Sequence, residues 1–251
     1  MTAAVDNSER KALNIAELQR FEGLNEKIHF NATMAPALRR ATQLHSDQFA
    51  KVWWRCVLSH KQSWDNGVRH ADISLINLMF YMNKKDDPVG VLVDHDLAEN
   101  DQCKEGGQRV GSPSYMAIEL LFTPRPKRLY RHGLESFFWV LVFFSLQYKN
   151  GRQRIFIDRP LDHDWVKSTV ERSREKKNDF FNHIATFTPV VASSNRKLWN
   201  IVFDYSLKLD FQRISRKIWV HYQAEEPAEV PDDVFKVMEE IVLKELPMIN
   251  Y

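Results

Sequence analysis

Glycine is scarce in this sequence of 251 residues, which contains only eight. They are Gly23, Gly67, Gly90, Gly106, Gly107, Gly111, Gly133 and Gly151. Neither a G-x-G-x-x-G string nor a G-x-x-x-x-G-K-[ST] string can be assembled from these positions. The chain therefore has neither of the common glycine-rich loops that hold nucleotide phosphates against backbone N–H groups.

Cysteine, net charge and long apolar runs are also limited. Cys56 and Cys103 lie far apart with no metal-ligand spacing, which is typical of a protein from a reducing compartment. The formal net charge of +2 gives no support for a nucleic-acid partner. The longest apolar run, Phe137–Phe144, is far shorter than the roughly 18 residues that span a bilayer, and residues 1–20 carry no signal peptide. We expect an intracellular protein, cytoplasmic or nuclear, that binds neither membrane nor nucleic acid.

Hydrophobic periodicity predicts a mainly α (α+β) fold with one short hairpin. An amphipathic helix is predicted over residues 46–62, capped by Ser46 or Asp47. Leu78–Met82 and Gly90–Val93 are predicted strands on either side of a polar turn. Leu134–Gln147 is apolar nearly all round, which predicts a helix buried at the centre of the domain.

Weaker patterns suggest three further helices. Residues 8–22 are compatible with a short helix, and a charged stretch from Lys167 leads into apolar residues of one helix ending near Ile184. Asp232–Leu246 is amphipathic and is predicted to close the domain. Five tryptophans are predicted to lie in the core rather than to form a stacking surface: Trp53, Trp54, Trp139, Trp199 and Trp219.

Three polar strings follow one another and carry the candidate chemistry. His70–Asn77 reads H-x-D-x-x-x-x-N, and Asp94–Ala98 begins 22 residues after Asp72, directly after a predicted strand. Gly111–Glu119 ends 25 residues after Asp94. Phosphoryl transfer needs a carboxylate that orients the attacking hydroxyl and accepts its proton, and oxygen ligands for Mg²⁺. Their order and spacing therefore indicate a phosphoryl-transfer site.

Each string alone has a plainer interpretation. Asp72 and Asn77 also fit an N-cap and turn pair, and Asp94 to Asp96 also fits a solvated turn. The basic stretch Pro124–Arg131 is more simply a solvated loop than a docking surface for an acidic partner or nucleic acid.

Together with Tyr130–Leu141, these strings resemble the fungal-type protein kinase family over about residues 45–245. The resemblance implies a protein-kinase-like C-lobe over residues 46–246, after an N-terminal segment, 1–45, that is partly disordered or a remnant, and before a tail, 247–251. It implies a catalytic loop at 70–77, a metal loop at 94–98 and an activation segment at 94–119. It also implies roles for single residues. Asp72 would be the catalytic base, and His70 would brace the catalytic loop. Asn77 and Asp94 would bind Mg²⁺ and, through it, ATP, while Glu119 would be a structural acid.

The sequence departs from the family pattern at several positions. Ala71 stands where many kinases have an arginine that pairs with a phosphate of the activation loop. Gly133 replaces an aspartate that accepts hydrogen bonds from the catalytic loop, so that loop is expected to be looser. His95 stands where kinases generally have a phenylalanine. Only about 45 residues precede the first clear helix, and they show no strand alternation. The N-lobe that grips ATP is therefore expected to be absent or truncated.

Three functions remain open from the sequence. The first is ATP-dependent phosphoryl transfer to a protein hydroxyl, if an N-lobe completes the site. The second is an inactive truncated binding module, or a gene-model fragment with no separate role, whose partner would be another protein. The third, a small-molecule phosphotransferase, is disfavoured by the setting of Glu119, which is typical of a protein-kinase activation segment. The isolated chain is expected to bind Mg–ATP weakly or not at all and to be inactive, and its oligomeric state is open.

Overall fold

The computed structural model describes residues 37–94, 111–155, 161, 165, 169–247 and 249. The helix predicted at 8–22 and most of the metal loop, residues 95–98, lie outside these ranges. The chain clusters into two units, Met1–Ala37 and Leu38–Tyr251, and the fold described below is that of the second.

Within these ranges the fold is mainly α-helical, as predicted. Five α-helices are present in the described part of the chain: α1 (Ser46–Asp65), α2 (Tyr130–Gln147), α3 (Val170–Phe187), α4 (Arg196–His221) and α5 (Pro231–Glu245). Short 3₁₀ turns occupy Ala41–Gln43, Ile118–Leu121, Thr188–Val190 and Ser193–Asn195. No helix among the described residues combines the length and the apolar character that a membrane span requires.

A small antiparallel sheet lies against α1. Its strands are β1 (Arg39–Arg40), β2 (Leu78–Met82) and β3 (Pro88–Leu92), in that order across the sheet. The strand pair β2–β3 is the predicted hairpin, although β3 begins at Pro88 rather than at Gly90. Gly90 is required here, because a Cβ atom at this position would lie 2.3 Å from the Val52 carbonyl oxygen on α1. The hairpin can therefore approach the helix closely. A second pair, β4 (Tyr148–Lys149) and β5 (Arg152–Gln153), follows α2.

Helix α2 forms the centre of the core. All of its residues except Arg131 are buried, as its apolar sequence predicted. It packs on α1, α4 and α5. Between α1 and α2, the rings of Phe49 and Phe144 stack at 3.5 Å, and the Trp53 indole N–H donates to the Phe137 carbonyl at 3.2 Å.

Two predictions about local structure were wrong. Ser46 is the first residue of α1 rather than its N-cap, which is His45, and the Ser46 hydroxyl instead donates to the Asn195 side chain. Trp219 is only half-buried, whereas the other four tryptophans predicted in the core are buried. Trp219 lies on the second half of α4, where this helix presents several apolar side chains to solvent.

Helix α4 was not predicted at all, although it is the longest helix described. Its first half buries Leu198 and Val202, while its second half leaves Phe211 and Ile218 exposed. Because the apolar residues of the two halves occupy different faces, the whole segment shows no single amphipathic face in the sequence.

A glycine–histidine contact joins α1 to α2. A Cβ atom at Gly133 would lie 2.2 Å from Nε2 of His60, whose ring is buried and stacks on Tyr130 at 5.4 Å. The His60 ring thus occupies the space next to the missing side chain. Because it is held by Tyr130 and by Phe137, at 5.7 Å, the ring has little freedom to move aside.

We predict that Gly133→Ala destabilises the protein by about 1–3 kcal/mol, the usual cost of overpacking a core. In most helices this change would stabilise by roughly 0.5–1 kcal/mol, because glycine is a poor helix former. The free energy of unfolding, measured by urea denaturation, should therefore fall rather than rise.

The double variant His60→Ala/Gly133→Ala provides the control. Removing the imidazole should eliminate the penalty of the alanine, giving a coupling energy of about 1 kcal/mol or more in a double-mutant cycle. Additive effects would show that the two side chains do not compete for the same space.

Candidate active site

The carboxylate of Asp72 is held by donors from two segments. Its Oδ1 accepts the backbone N–H of Ser112 at 2.9 Å, and its Oδ2 lies 3.3 Å from Nδ2 of Asn77. The first donor belongs to the activation segment and the second to the catalytic loop. Two of the three predicted strings, His70–Asn77 and Gly111–Glu119, therefore meet at this carboxylate.

His70, predicted to brace the catalytic loop, has a contact at each of its two ring nitrogens. Its buried ring accepts the backbone N–H of Asp72 at Nδ1, at 3.2 Å, and lies 3.0 Å from the Val93 carbonyl oxygen at Nε2. A ring that accepts at Nδ1 and donates at Nε2 is a neutral imidazole with its proton on Nε2. The Val93 N–H donates to the Asn77 carbonyl at 3.0 Å. The residue before Asp94 is thus hydrogen-bonded to the catalytic loop on both sides.

Asn77 is oriented so that its amide oxygen is available. Its Nδ2 donates to the Asp72 carbonyl at 2.8 Å, which directs the NH₂ group toward the loop and leaves Oδ1 on the opposite side of the amide. Asp94 follows β3 and has a positive φ of 68°, a conformation that aspartate tolerates better than most residues. Asp94, predicted to be the second metal ligand, therefore lies just after the end of β3, at the limit of the residues described here.

Gly111 allows the activation segment to reach Asp72. It has a φ of +101°, and a Cβ atom there would lie 2.6 Å from the Ala71 carbonyl oxygen. Any other residue would keep the Ser112 N–H away from the carboxylate. Ser112 could not be recognised as a positioning residue from the sequence, because it contributes a backbone N–H and only the preceding glycine gives a signal.

Glu119 lies at the centre of an ion network at the end of the activation segment. Its Oε2 is 3.0 Å from Nη2 of Arg131 and 2.5 Å from Nε2 of His132, and Arg216 of α4 contacts Oε1. Arg131 also pairs with Glu226 and Glu229, at 3.1 and 3.3 Å. Burial alone would raise the Glu119 pKa, but the His132 hydrogen bond and the nearby positive charges lower it to about 2.

His132 joins this network as a neutral group. Burial, together with the charges of Arg131 and Arg128, lowers its pKa to about 4 despite the contact with Glu119. Its Nδ1 accepts the Leu129 N–H at 3.0 Å, so its proton lies on Nε2 and is donated to the carboxylate. The imidazole therefore connects the start of α2 to Glu119 without placing a further buried charge there.

Two buried charged residues, Glu135 and Lys177, hold the backbone just before Glu119. The Glu135 carboxylate of α2 accepts the Ile118 N–H at 2.9 Å and the Trp139 indole N–H at 3.2 Å. Lys177 of α3 is fully buried, donates to the Met116 carbonyl and lies 4.5 Å from the centre of the Trp139 ring. Burial lowers the Lys177 pKa to about 7, an effect that the charge of Glu135 opposes. Neither Glu135 nor Lys177 could be recognised from the sequence as a residue that holds this segment, because each lies within an ordinary helical pattern.

At Gly133 and Ala71, two of the positions that depart from the family pattern, the structure shows which groups take the place of the expected side-chain contacts. The space beside Gly133 is filled by His60, and the Asp72 N–H finds its acceptor in His70. The Ala71 carbonyl oxygen is contacted by Arg128, whose Nη2 lies 3.5 Å away. The catalytic loop thus has local partners that do not depend on an acidic side chain at position 133.

The oxygen donors at this site fit a magnesium ion that arrives with a nucleotide. Among the residues that the structure describes, no group of three or more His, Cys, Asp or Glu side chains could hold a metal on its own. Mg²⁺ in phosphoryl-transfer sites needs fewer, because phosphate oxygens and water complete its octahedron. Oδ1 of Asn77 and the carboxylate of Asp94 would supply the protein's share.

We predict that Glu119→Gln lowers the free energy of unfolding by about 2–4 kcal/mol at pH 7, because Arg131 and Arg216 would lose a partner at a largely buried site. The pKa of Glu119 is about 2 in the folded chain and about 4.3 in an unfolded one. Between these values the unfolded chain takes up the proton more readily. The stabilisation by Glu119 is therefore complete above about pH 4.3 and is lost as the pH falls towards 2.

Denaturant titrations from pH 7 down to pH 3 would test this prediction. The wild-type and Glu119→Gln curves should converge as the pH falls. Glu175→Gln is a matched control, because Glu175 pairs with Arg172 at the surface and its removal should cost about 0.5 kcal/mol or less. A constant difference between wild type and Glu119→Gln at all pH values would contradict the assigned ion network.

Comparison with known proteins bears on the family to which the chain belongs. No curated protein matches the chain. A model of the fungal protein kinase family matches residues 4–145. This range contains the catalytic loop, the activation segment and most of α2; it begins earlier and ends earlier than the resemblance seen in the sequence. The match covers more than half of the chain, which therefore belongs to the fungal protein kinase family.

Proposed function

We propose that this chain forms the catalytic-loop half of a site that transfers the γ-phosphoryl group of ATP to a protein hydroxyl. The observation that carries the proposal is the Asp72 carboxylate, held between the Ser112 N–H and the Asn77 amide. A carboxylate fixed at the end of a braced loop can orient an incoming hydroxyl and accept its proton.

Each residue would have a definite task in the reaction. The substrate oxygen would bond to the γ-phosphorus, the bond from that phosphorus to the bridging oxygen would break, and ADP would leave with the electron pair. Asp72 would take the hydroxyl proton. Bound Mg²⁺ would neutralise charge on the phosphates, and Oδ1 of Asn77 and the carboxylate of Asp94 would hold it. His70 would hold the loop next to the residue that precedes Asp94, through its contacts with the Asp72 N–H and the Val93 carbonyl.

The chain by itself supplies only part of this machinery. It carries no glycine-rich string that could cradle the triphosphate. Phosphoryl transfer depends on positioning and charge stabilisation, and loss of one main electrostatic contact commonly costs on the order of 10²-fold or more in rate. We therefore propose that activity requires an ATP-gripping lobe that contributes a phosphate loop and a lysine.

A binding module without catalytic activity is the second candidate. Gly133 and Ala71 favour it, because both lack a side chain that the family resemblance assigns to supporting or regulating the catalytic loop. The two candidates differ in whether Asn77 and Asp94 still bind a metal–nucleotide complex.

We predict no measurable phosphoryl transfer by the purified 251-residue chain. The chain would be incubated with labelled ATP, Mg²⁺ and a generic protein acceptor, beside Asp72→Asn as the blank. Both should give the same background signal. Incorporation clearly above the Asp72→Asn level would show that the chain is a complete kinase and would reject the need for a second lobe.

Metal binding would test the site itself. Paramagnetic broadening detects even weak and transient binding of a metal ion. We therefore predict that Mn²⁺ with ATP broadens the amide resonances of Asp72, Asn77 and Asp94 in an NMR titration, because Mn²⁺ takes the oxygen ligands that Mg²⁺ prefers. Asp94→Asn should weaken the broadening at least several-fold, whereas Asp87→Asn, which alters an exposed acid in the hairpin turn, should not. Broadening that is unaffected by Asp94→Asn would reject the metal assignment and favour the binding module.

A further inference from the structure

The outer face of the second half of α4 presents an apolar stripe. Leu207, Phe211, Ile214 and Ile218 are spaced four, three and four residues apart, and at about 100° per residue they fall within an arc of about 60°. Their exposed fractions are 57, 71, 49 and 49%. Single exposed apolar residues are ordinary, but a contiguous row of them marks an interaction surface.

The spacing of the stripe is that of a helix that pairs with another helix. Alternate steps of three and four residues are the a/d pattern of two-stranded coiled coils. The opposite side of α4 is occupied by its own domain, where Tyr205 and Leu209 are buried. The stripe is thus directed away from the core and is free to take a partner helix along its length.

A concavity beside the stripe offers room for side chains of such a helix. Leu207 and Phe211 of α4 and Ile241 of α5 line an open space of about 580 Å³. Asp204 and Lys244, at its edge, already pair with each other at 2.7 Å. A helix with branched or aromatic side chains would fill this concavity better than a flat bilayer surface would.

The charges at the border of the stripe are complementary to a second copy of the same helix. Asp210 and Lys217 lie seven residues apart on one border of the stripe, while Lys208 lies on the other. Lys217 is exposed and forms no ion pair with any residue in the described ranges, and the Asp210 side chain is 50% exposed although it contacts Arg213. In an antiparallel pair related by a two-fold axis, residues on the same border face each other.

We propose that this face binds a second copy of the chain, with the two α4 helices antiparallel. The register that pairs all four apolar residues places Leu207 opposite Ile218 of the second copy and Phe211 opposite Ile214 of the second copy. Asp210 then lies next to Lys217 of the second copy, and the two-fold axis creates this ion pair twice. Lys208 falls near Ser215 of the second copy, so the other border carries no direct repulsion.

The short stripe makes this a weak dimer. Four apolar residues from each copy form a contact at the small end of specific interfaces, for which dissociation constants in the range of about 1–100 μM are reasonable. The full chain, with a mass of 29.6 kDa, would be examined by sedimentation velocity from about 1 to 300 μM. We predict a concentration-dependent shift from one chain mass to twice that mass.

Substitutions in the stripe and at its border test the register. Phe211→Glu should weaken dimerisation at least 10-fold, because it would place a charge in the centre of the contact. Asp210→Lys and Lys217→Asp should each weaken it by about 3- to 10-fold through like-charge contacts. The double variant Asp210→Lys/Lys217→Asp should restore wild-type affinity, since it exchanges the two partners of the pair. Each variant would be checked for an unchanged thermal unfolding midpoint, as these positions are surface positions.

Several results would overturn the proposal. A chain that stays monomeric at about 300 μM, or a dimer that Phe211→Glu leaves intact, would reject it. Failure of the charge exchange to restore a dimer that either single variant weakens would reject the antiparallel register. A monomer that floats with vesicles containing anionic phospholipid, and loses this binding in Phe211→Glu, would assign the stripe to a membrane surface instead.

Discussion

Burial of helix α2 on nearly its whole circumference determines what the rest of the described chain can do. Packing on α1, α4 and α5 removes all of its side chains except Arg131 from solvent. A fully buried side chain of the leucine or phenylalanine kind contributes about 1.5–3 kcal/mol, so the position of α2 is stabilised far more strongly than that of any loop around it. The polar side chains of this helix are therefore held in fixed positions.

Three polar residues of α2 bind the C-terminal part of the activation segment. Arg131 and His132 bind Glu119, and Glu135 binds the Ile118 backbone one turn further along. Glu229, from the segment before α5, accepts the Tyr130 N–H at 2.7 Å and so satisfies a donor at the start of α2. Through these bonds the buried helix fixes the C-terminal end of the activation segment, and Ser112, seven residues before Glu119, reaches Asp72.

The features that could be predicted from the sequence are those that depend on residues close together in the chain. The β2 strand, the buried α2 and the pairing of Asp72 with Asn77 follow from periodicity and from a five-residue spacing. The partners of Glu119 could not be predicted in the same way, because Arg216 is nearly a hundred residues away and only the tertiary fold brings it close. The burial of Lys177 could not be predicted because the local sequence is misleading. The charged residues around it favour a solvated helix face.

The contact between His60 and Gly133 limits the order in which this chain could change over evolution. Return of an acidic side chain to position 133, where the family resemblance places one, would meet the His60 ring within 2.2 Å at its first carbon atom. Position 60 would have to become small first, and that step alone would leave a cavity beside Tyr130 and Phe137. Each single substitution is therefore destabilising by itself, so positions 60 and 133 would have to change together, and the loop that contains Asp72 is held through His70 and Asn77 instead.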